Sequence, residues 1–280
     1  MILYKFWKKS LRILFLIVVT HSLTLPAAAF AEDCLKVAGT GSALASMKIL
    51  GQAFEKSHPG VKVKIVPSLG STGGIKAVSK KAIDIGISSR VLNDEERQFG
   101  LSVIEYARSP LIFVTNRNVS ISNVTSDDIV KIYNGAKTIW PDGQRIRTPL
   151  RQSNEIDIHI VKMISPEISK AINTAMSRPG MMTAVTDQDN ADMIERTPGA
   201  FGISTLTQVI SEKRRLKILS YNGVTPSAKS LASGSYPLSR FFFTVTQKNM
   251  SVPTRKFLAF MQSTQGKKIL EENGYVVIIR

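Results

Sequence analysis

The sequence predicts an α/β fold of two lobes, and three features of it carry the prediction. Apolar strand-like segments alternate with helical patterns over the first half of the 280-residue chain. Turns rich in glycine and hydroxyl residues sit where those strands end. After about residue 110 the pattern changes, and two extended segments near 108–114 and 232–243 read as crossings between lobes.

The elements follow in order. "LKVAG" is a strand, 44–57 a helix and "VKVKIVP" a strand with period-two alternation. Met47, Leu50 and Phe54 fall on one face of the helix, at i, i+3 and i+7, and belong to the core. A glycine-rich turn, "LGSTGG", leads to a short helix from about Ile75 to Lys81 and then to the strand "AIDIGIS". Alternation of this kind argues for a largely parallel sheet with right-handed crossovers. Farther on, "SPLIFVTN" is a strand and "TSDDIVKIYNG" a helix capped by Thr125 or Ser126. "IDIHIVKMI" is ambiguous between strand and helix, whereas "TPGAFGIS", "RLKILSYNG" and "RFFFTVTQ" are extended. One or two helices close the chain, ending at Gly274.

The chain opens with Lys5, Lys8, Lys9 and Arg12, an apolar run from Ile13 to Val19, and "PAAAFA". This is the pattern of a secretory signal peptide over residues 1–31, with Ala29-Phe30-Ala31 at the cleavage site and a periplasmic product. The apolar run is well short of the roughly 20 residues that span a bilayer. Glu32 and Asp33 stand before Cys34 where a lipoprotein would need small residues. Loss of the four basic residues and no acids lowers the formal charge from +16 to +12. Lys and Arg are scattered and show no stripe interleaved with aromatics, so nucleic acid is not expected as a partner. A positive field draws small anions into a cleft. Cys34 is the only cysteine, which excludes an intrachain disulfide and leaves the fold to a core that 43% apolar residues can supply. His58 and His159 have no carboxylate pair at metal-ligand spacing beside them, so neither a metal site nor a histidine-dependent triad is expected. No G-x-S-x-G elbow occurs, so no catalytic residue is assigned and no cofactor is expected.

Candidate chemistry lies in the turns. "GTGSA" contributes Thr40, Gly41, Ser42 and Ala43. It lacks the third glycine and acidic partner of a dinucleotide fingerprint, and it lacks the Gly-Lys-Ser/Thr of a P-loop. Hydroxyls and free N–H groups at a helix start remain, which suit either a bare anion or a plain cap. "GSTGG" repeats the chemistry with Ser71, Thr72 and Gly73, and "DIGISSR" adds Ser88, Ser89 and Arg90. Three strand ends thereby deliver hydroxyls to one edge, where ligands of open α/β sheets bind. An arginine is expected beside them, because its planar fork matches an oxyanion. Arg90 and Arg151 are the candidates.

Taken together and in order, "GTGSA…F", "GSTGGIKAV", "DIGISSR", "TPGAFGIS" and "FLAFMQSTQGKKILEENGYV" resemble the phosphate-binding proteins of bacterial ABC importers. The resemblance spans nearly the whole mature chain. It implies a type II periplasmic binding protein fold, with lobe 1 from residues 32–111 plus 239–280, lobe 2 from 112–238, and a ligand cleft between them. It further implies hinge closure on an inorganic oxyanion, phosphate foremost, and delivery to a membrane permease by a monomer. By the same resemblance Ser42 with the backbone at Ala43, then Ser71 and Thr72, match phosphate-contacting turns. Ser89 stands where such relatives often place an aspartate. Arg151 fits the arginine of the second-lobe pattern, but "SNEIDIH" replaces its Ser-Gly-Thr, leaving Ser153, Glu155 and Asp157 in that place. Phosphate retains a proton near neutral pH and can donate it to a carboxylate, whereas sulfate, molybdate and tungstate cannot. The cargo therefore depends on whether Glu155 or Asp157 faces the cleft. A sensory binding protein using the same closure is the other function open to this pattern.

Overall fold

A computed structural model describes residues 33–278. The expected signal peptide, residues 1–31, lies outside the described residues. Eight strands form one sheet: β1 (Asp33–Gly39), β2 (Val61–Ile65), β3 (Ile85–Ser88), β4 (Leu101–Asn116), β5 (Phe201–Thr205), β6 (Leu216–Ile218), β7 (Ser239–Gln247) and β8 (Val276–Val277). β1 lies between β2 and β3, parallel to both. From β3 outward the sheet turns antiparallel, through β7 to β4 and then to β8. The expectation of a largely parallel sheet is thus corrected to a mixed one. The reason is the chain's return: β7 arrives from the far part of the molecule and enters beside β3 running the other way.

β4 is 16 residues long and serves two neighbourhoods. Its residues 101–110 pair with β7, while Leu111–Thr115 pair with β5 and Val114–Asn116 with β6. Buried apolar residues segregate along the same line. One cluster draws only on residues 111–238, with Phe113, Tyr133, Trp140, Phe201 and Tyr221 in aromatic contact at its centre. Two others draw on residues 35–107 and 242–277, with Phe54 packed edge-on to Phe257 and Phe260. Met47, Leu50 and Phe54 are fully buried there, as their spacing predicts. Each such side chain contributes about 1.5–3 kcal/mol of burial.

Four helices carry residues of the site: α1 (Leu44–Ser57), α2 (Gly70–Ser79), α3 (Ile156–Lys162) and α4 (Asp187–Arg196). α1 matches the sequence expectation at both ends. α2 begins five residues earlier than expected, so "GSTGG" is the first turn of a helix and not a loop before it. Glycine has low helix propensity, and tertiary contact overrides it here: Gly74 packs so closely on β1 that a Cβ would stand 2.9 Å from the Gly39 Cα. The ambiguous "IDIHIVK" is helical, because its buried positions, Asp157, Ile158 and Val161, follow a helical stripe. Thr125 caps the helix Ser126–Asn134 in a reciprocal capping box, and Gly135 ends it in the left-handed conformation.

Candidate functional site

The ends of β1, β2 and β3 do converge. A cavity of about 410 Å³ opens over them, lined by Thr40, Ser71, Thr72 and Arg90 from this side and by Arg151, Glu155 and Asp187 from the other. Arg240, from the start of β7, lies at its floor.

Hydrogen bonds behind the wall determine what the wall can offer. The Ser71 hydroxyl oxygen accepts from the Ser89 N–H at 2.9 Å, and Thr72 Oγ1 accepts from Arg90 Nη2 at 2.9 Å. Arg240 supplies two more, from Nη2 to Thr40 Oγ1 at 2.6 Å and from Nε to Ser89 Oγ at 2.9 Å. A hydroxyl that already accepts from an N–H keeps its own proton to donate. Behind Ser71 and Thr72, α2 starts at Gly70 without a side-chain cap and with no acid in its first turn, so its first N–H groups add positive potential to the same wall.

Beneath the wall lies a buried ionic quartet. Arg240 is 2% exposed, Asp157 2%, Arg151 4% and Asp187 6%. Arg240 Nη1 donates to Asp157 Oδ2 at 3.0 Å, approaches its Oδ1 at 2.8 Å, and donates to Asp187 Oδ1 at 3.1 Å. Arg151 Nη2 is 3.5 Å from Asp187 Oδ1 and 3.1 Å from Glu155 Oε2 at the rim. Two arginines and two aspartates balance, as buried charge requires. Asp187 also receives the N–H of Ser42 on Oδ2 at 3.0 Å, and Thr40 Oγ1 lies 3.4 Å from the same oxygen. The first turn therefore cradles an oxyanion, and the oxyanion is a side chain of the protein.

The two aspartates titrate apart. Burial dominates at Asp157 and pushes its carboxyl up to about 6, against the pull of Arg240 and with the Asp187 charge adding to the rise. At Asp187 burial acts in the same direction, but Arg240 and Arg151, with the Arg240 and Ser42 hydrogen bonds, outweigh it and hold the carboxyl below its ordinary 3.8. An acid raised in the folded state contributes stability that is complete below its unfolded value and is lost as pH rises through its folded one. Asp157 therefore destabilises the fold progressively from about pH 4 to above 6. The Asp187 contribution is present above 3.8 and is lost as pH falls through its lowered value. Denaturant titrations of the parent and Asp157→Asn at pH 4.5 and 7 should show the variant gaining stability relative to the parent as pH rises. Equal differences at both pH values would contradict the burial argument.

Several expected site residues lie elsewhere. Ser153 is exposed and outside the cavity. Asp157 faces Arg240 below the cavity, whereas Glu155 lines it, which answers the question of which carboxylate reaches the cleft. Arg90 lines the cavity, but Glu96 grips its guanidinium through both oxygens at 2.6 and 2.7 Å, so its charge is spent on that pair. Ser88 is buried and turns its hydroxyl to the Arg90 carbonyl at 2.6 Å. Gly41, Ala43 and Gly73 are framework around the cavity and not lining. The Ser42 hydroxyl is buried without a hydrogen-bond partner among the described residues, and only its N–H is engaged. Sequence reasoning missed Arg240 and Asp187. A signal for the first exists: in "SRFFFTVTQ" period-two alternation places Arg240 on the buried face with Phe242. Asp187 has no such signal, because an acid in a first helical turn is ordinary.

Comparison with known proteins places this geometry. The family model described as "PBP superfamily domain" matches residues 26–265. The phosphate-binding protein PstS of Borreliella burgdorferi is 28% identical over 260 residues, covering 88% of this chain and 92% of that protein. The PstS of Bacillus subtilis is 22% identical over 251 residues, covering 89% and 82%. Among solved structures, a putative phosphate ABC transporter substrate-binding protein from Clostridium perfringens, with bound phosphate, superposes with a TM-score of 0.73 at 22% identity, covering 88% of this chain and all of that one. The match over residues 26–265 and the shared architecture establish that the chain belongs to the PBP superfamily and has the type II periplasmic binding protein fold.

Proposed function

We propose that this chain is an extracytoplasmic solute-binding protein that captures an inorganic oxyanion, phosphate, and presents it to the permease of an ABC importer. The observation that carries the reading is the pair of hydroxyls at Ser71 and Thr72, each already accepting from an N–H and so left with a proton to donate, beside the buried Arg151. A cavity wall of donors selects a ligand rich in acceptors. Arg151 Nε has no hydrogen-bond partner among the described residues, which leaves part of its fork for a ligand. The choice of phosphate is supported by the relatives that carry that name and by Glu155, a carboxylate on the cavity wall able to accept the proton phosphate keeps near neutral pH.

In this reading the protein works as a monomer in the periplasm, without a catalytic residue, and residues 1–31 are its export signal. Residues 32–111 plus 239–280 form lobe 1, and 112–238 form lobe 2. They hinge at β4 and at the segment leading into β7, which is supported by the division of the apolar clusters along that line. Closure joins the donors of β1–β3 and α2 to Arg151 and Glu155, and a bound anion favours the closed form by bridging the two sets of groups.

Calorimetric titration of ligand-free protein tests the reading. Phosphate should bind with micromolar or tighter affinity and sulfate far more weakly, and Arg151→Met should weaken phosphate by at least about 100-fold, the scale of losing a charge-assisted bidentate contact. Tight binding of sulfate, molybdate or tungstate in its place would change the cargo. Silence toward all four anions would overturn the function.

A further inference from the structure

The anion cradle at the end of β1 holds the carboxylate of Asp187. Four donors meet it: the Ser42 N–H at 3.0 Å, the Thr40 hydroxyl at 3.4 Å, Arg240 Nη1 at 3.1 Å and Arg151 Nη2 at 3.5 Å. A backbone N–H at a helix start, a hydroxyl and two guanidinium groups form a complete oxyanion receptor. Its occupant comes from α4, which is 145 residues away in sequence. The neighbouring Gln188 fixes the same helix end, donating from Nε2 to the Gly41 carbonyl at 2.9 Å. Gly41 has no room for more, because a Cβ there would stand 2.3 Å from Gln188 Oε1 and 3.0 Å from Asp187 Oδ2.

We propose that Asp187 is a tethered competitor for the oxyanion cradle, so that an incoming anion must displace its carboxylate from Ser42, Thr40 and Arg240. A group held on the same chain acts at an effective concentration in the millimolar range or above. A free anion at micromolar concentration succeeds only by making stronger bonds to the same donors than a singly charged carboxylate makes. Asp187 thereby sets a threshold of charge and donor-matching that a weak monoanion does not pass. It also keeps the buried arginines paired when no ligand is present. The inference rests on the oxyanion-binding function proposed above and adds to it the residue that opposes binding.

The test compares phosphate titrations of the parent, Asp187→Asn and Asp157→Asn. The last removes one charge from the same quartet but leaves Ser42 and Thr40 engaged, so it measures the general electrostatic effect alone. Asp187→Asn should tighten phosphate binding at least tenfold and clearly more than Asp157→Asn does. In amide spectra, the Ser42 N–H resonance should shift when Asp187 is neutralised and shift again when phosphate takes its place. Phosphate binding by the parent with no gain in Asp187→Asn, or an equal gain in both variants, overturns the competitor and leaves the function standing. Binding by Asp187→Asn alone supports the competitor and overturns phosphate capture by the parent. Binding by none overturns both. Should Asp187→Asn fail to fold, Gln188→Ala loosens the same helix end without changing the quartet. It should then give a smaller tightening, with no change counting against the proposal.

Discussion

Replacing Arg240 by methionine should destabilise the protein by about 3–5 kcal/mol, the range for removing one partner of a buried charge pair. For a fold of this size that corresponds to a fall in Tm of roughly 6–20 °C. Arg240 donates to Asp157, Asp187, Ser89 and Thr40, so its loss leaves two carboxylates adjacent and desolvated and two hydroxyls without their donor. Methionine fills comparable volume over Phe242, so packing is largely kept and the loss reads the charges. The pH dependence gives a second signature. Without the guanidinium both aspartates should titrate higher, and the variant should recover more stability than the parent as pH is lowered toward 5, because the parent gains there from Asp157 alone. Arg240→Lys keeps the charge but not the fork and should fall between the two. Thermal unfolding of the three proteins at pH 5 and 7 measures all of this. A methionine variant within 1 kcal/mol of the parent at pH 7 would mean that the quartet is solvated or that its carboxylates are already protonated.

The contrast between legible and illegible parts of the site follows from which interactions are local. Strand ends, the helix at 44–57, and the hydroxyl turns are written in spacing and in glycine position, and the structure assembles them where parallel strands require. Arg151 is named by a different route, as one of two candidate arginines for an oxyanion and by resemblance to the second-lobe pattern of phosphate-binding proteins. That the first turn receives Asp187 is not legible, because the acid arrives from a helix whose own sequence explains it as a dipole partner. Arg90 shows the converse. It sits at the right strand end, yet the capping box of Asn93 and Glu96 places a carboxylate against it and removes it as a free cation. The mixed sheet was hidden for a topological reason. Period-two alternation marks β7 as a strand but carries no information about its direction. That direction is fixed by pairing with residues some 130–160 positions earlier.

Gly39→Ala should be the most damaging single-methyl change at the site, with a loss above about 4 kcal/mol or no soluble protein at all. Two penalties combine. The backbone at Gly39 has φ of +140°, a conformation L side chains rarely adopt. A Cβ there would also stand 2.0 Å from the Ile87 carbonyl oxygen and 2.6 Å from the Ile87 nitrogen, atoms of the neighbouring strand that cannot move aside without breaking the β1–β3 ladder. That carbonyl accepts the Thr40 N–H at 2.9 Å, so the bond that aims Thr40 at the cradle is the one the methyl would destroy. Gly70 separates the two penalties. It has φ of +65° and nothing within 4 Å of a built Cβ, so Gly70→Ala should cost only the left-handed penalty of about 1–2 kcal/mol. Denaturant unfolding of both variants measures the difference. If Gly39→Ala loses no more than Gly70→Ala, the strands have room to part, and the close approach of β3 is not what fixes the turn. If the gap is as large as argued, the glycine that opens "GTGSA" serves to bring two backbones together, and the anion chemistry begins one residue later, at Thr40.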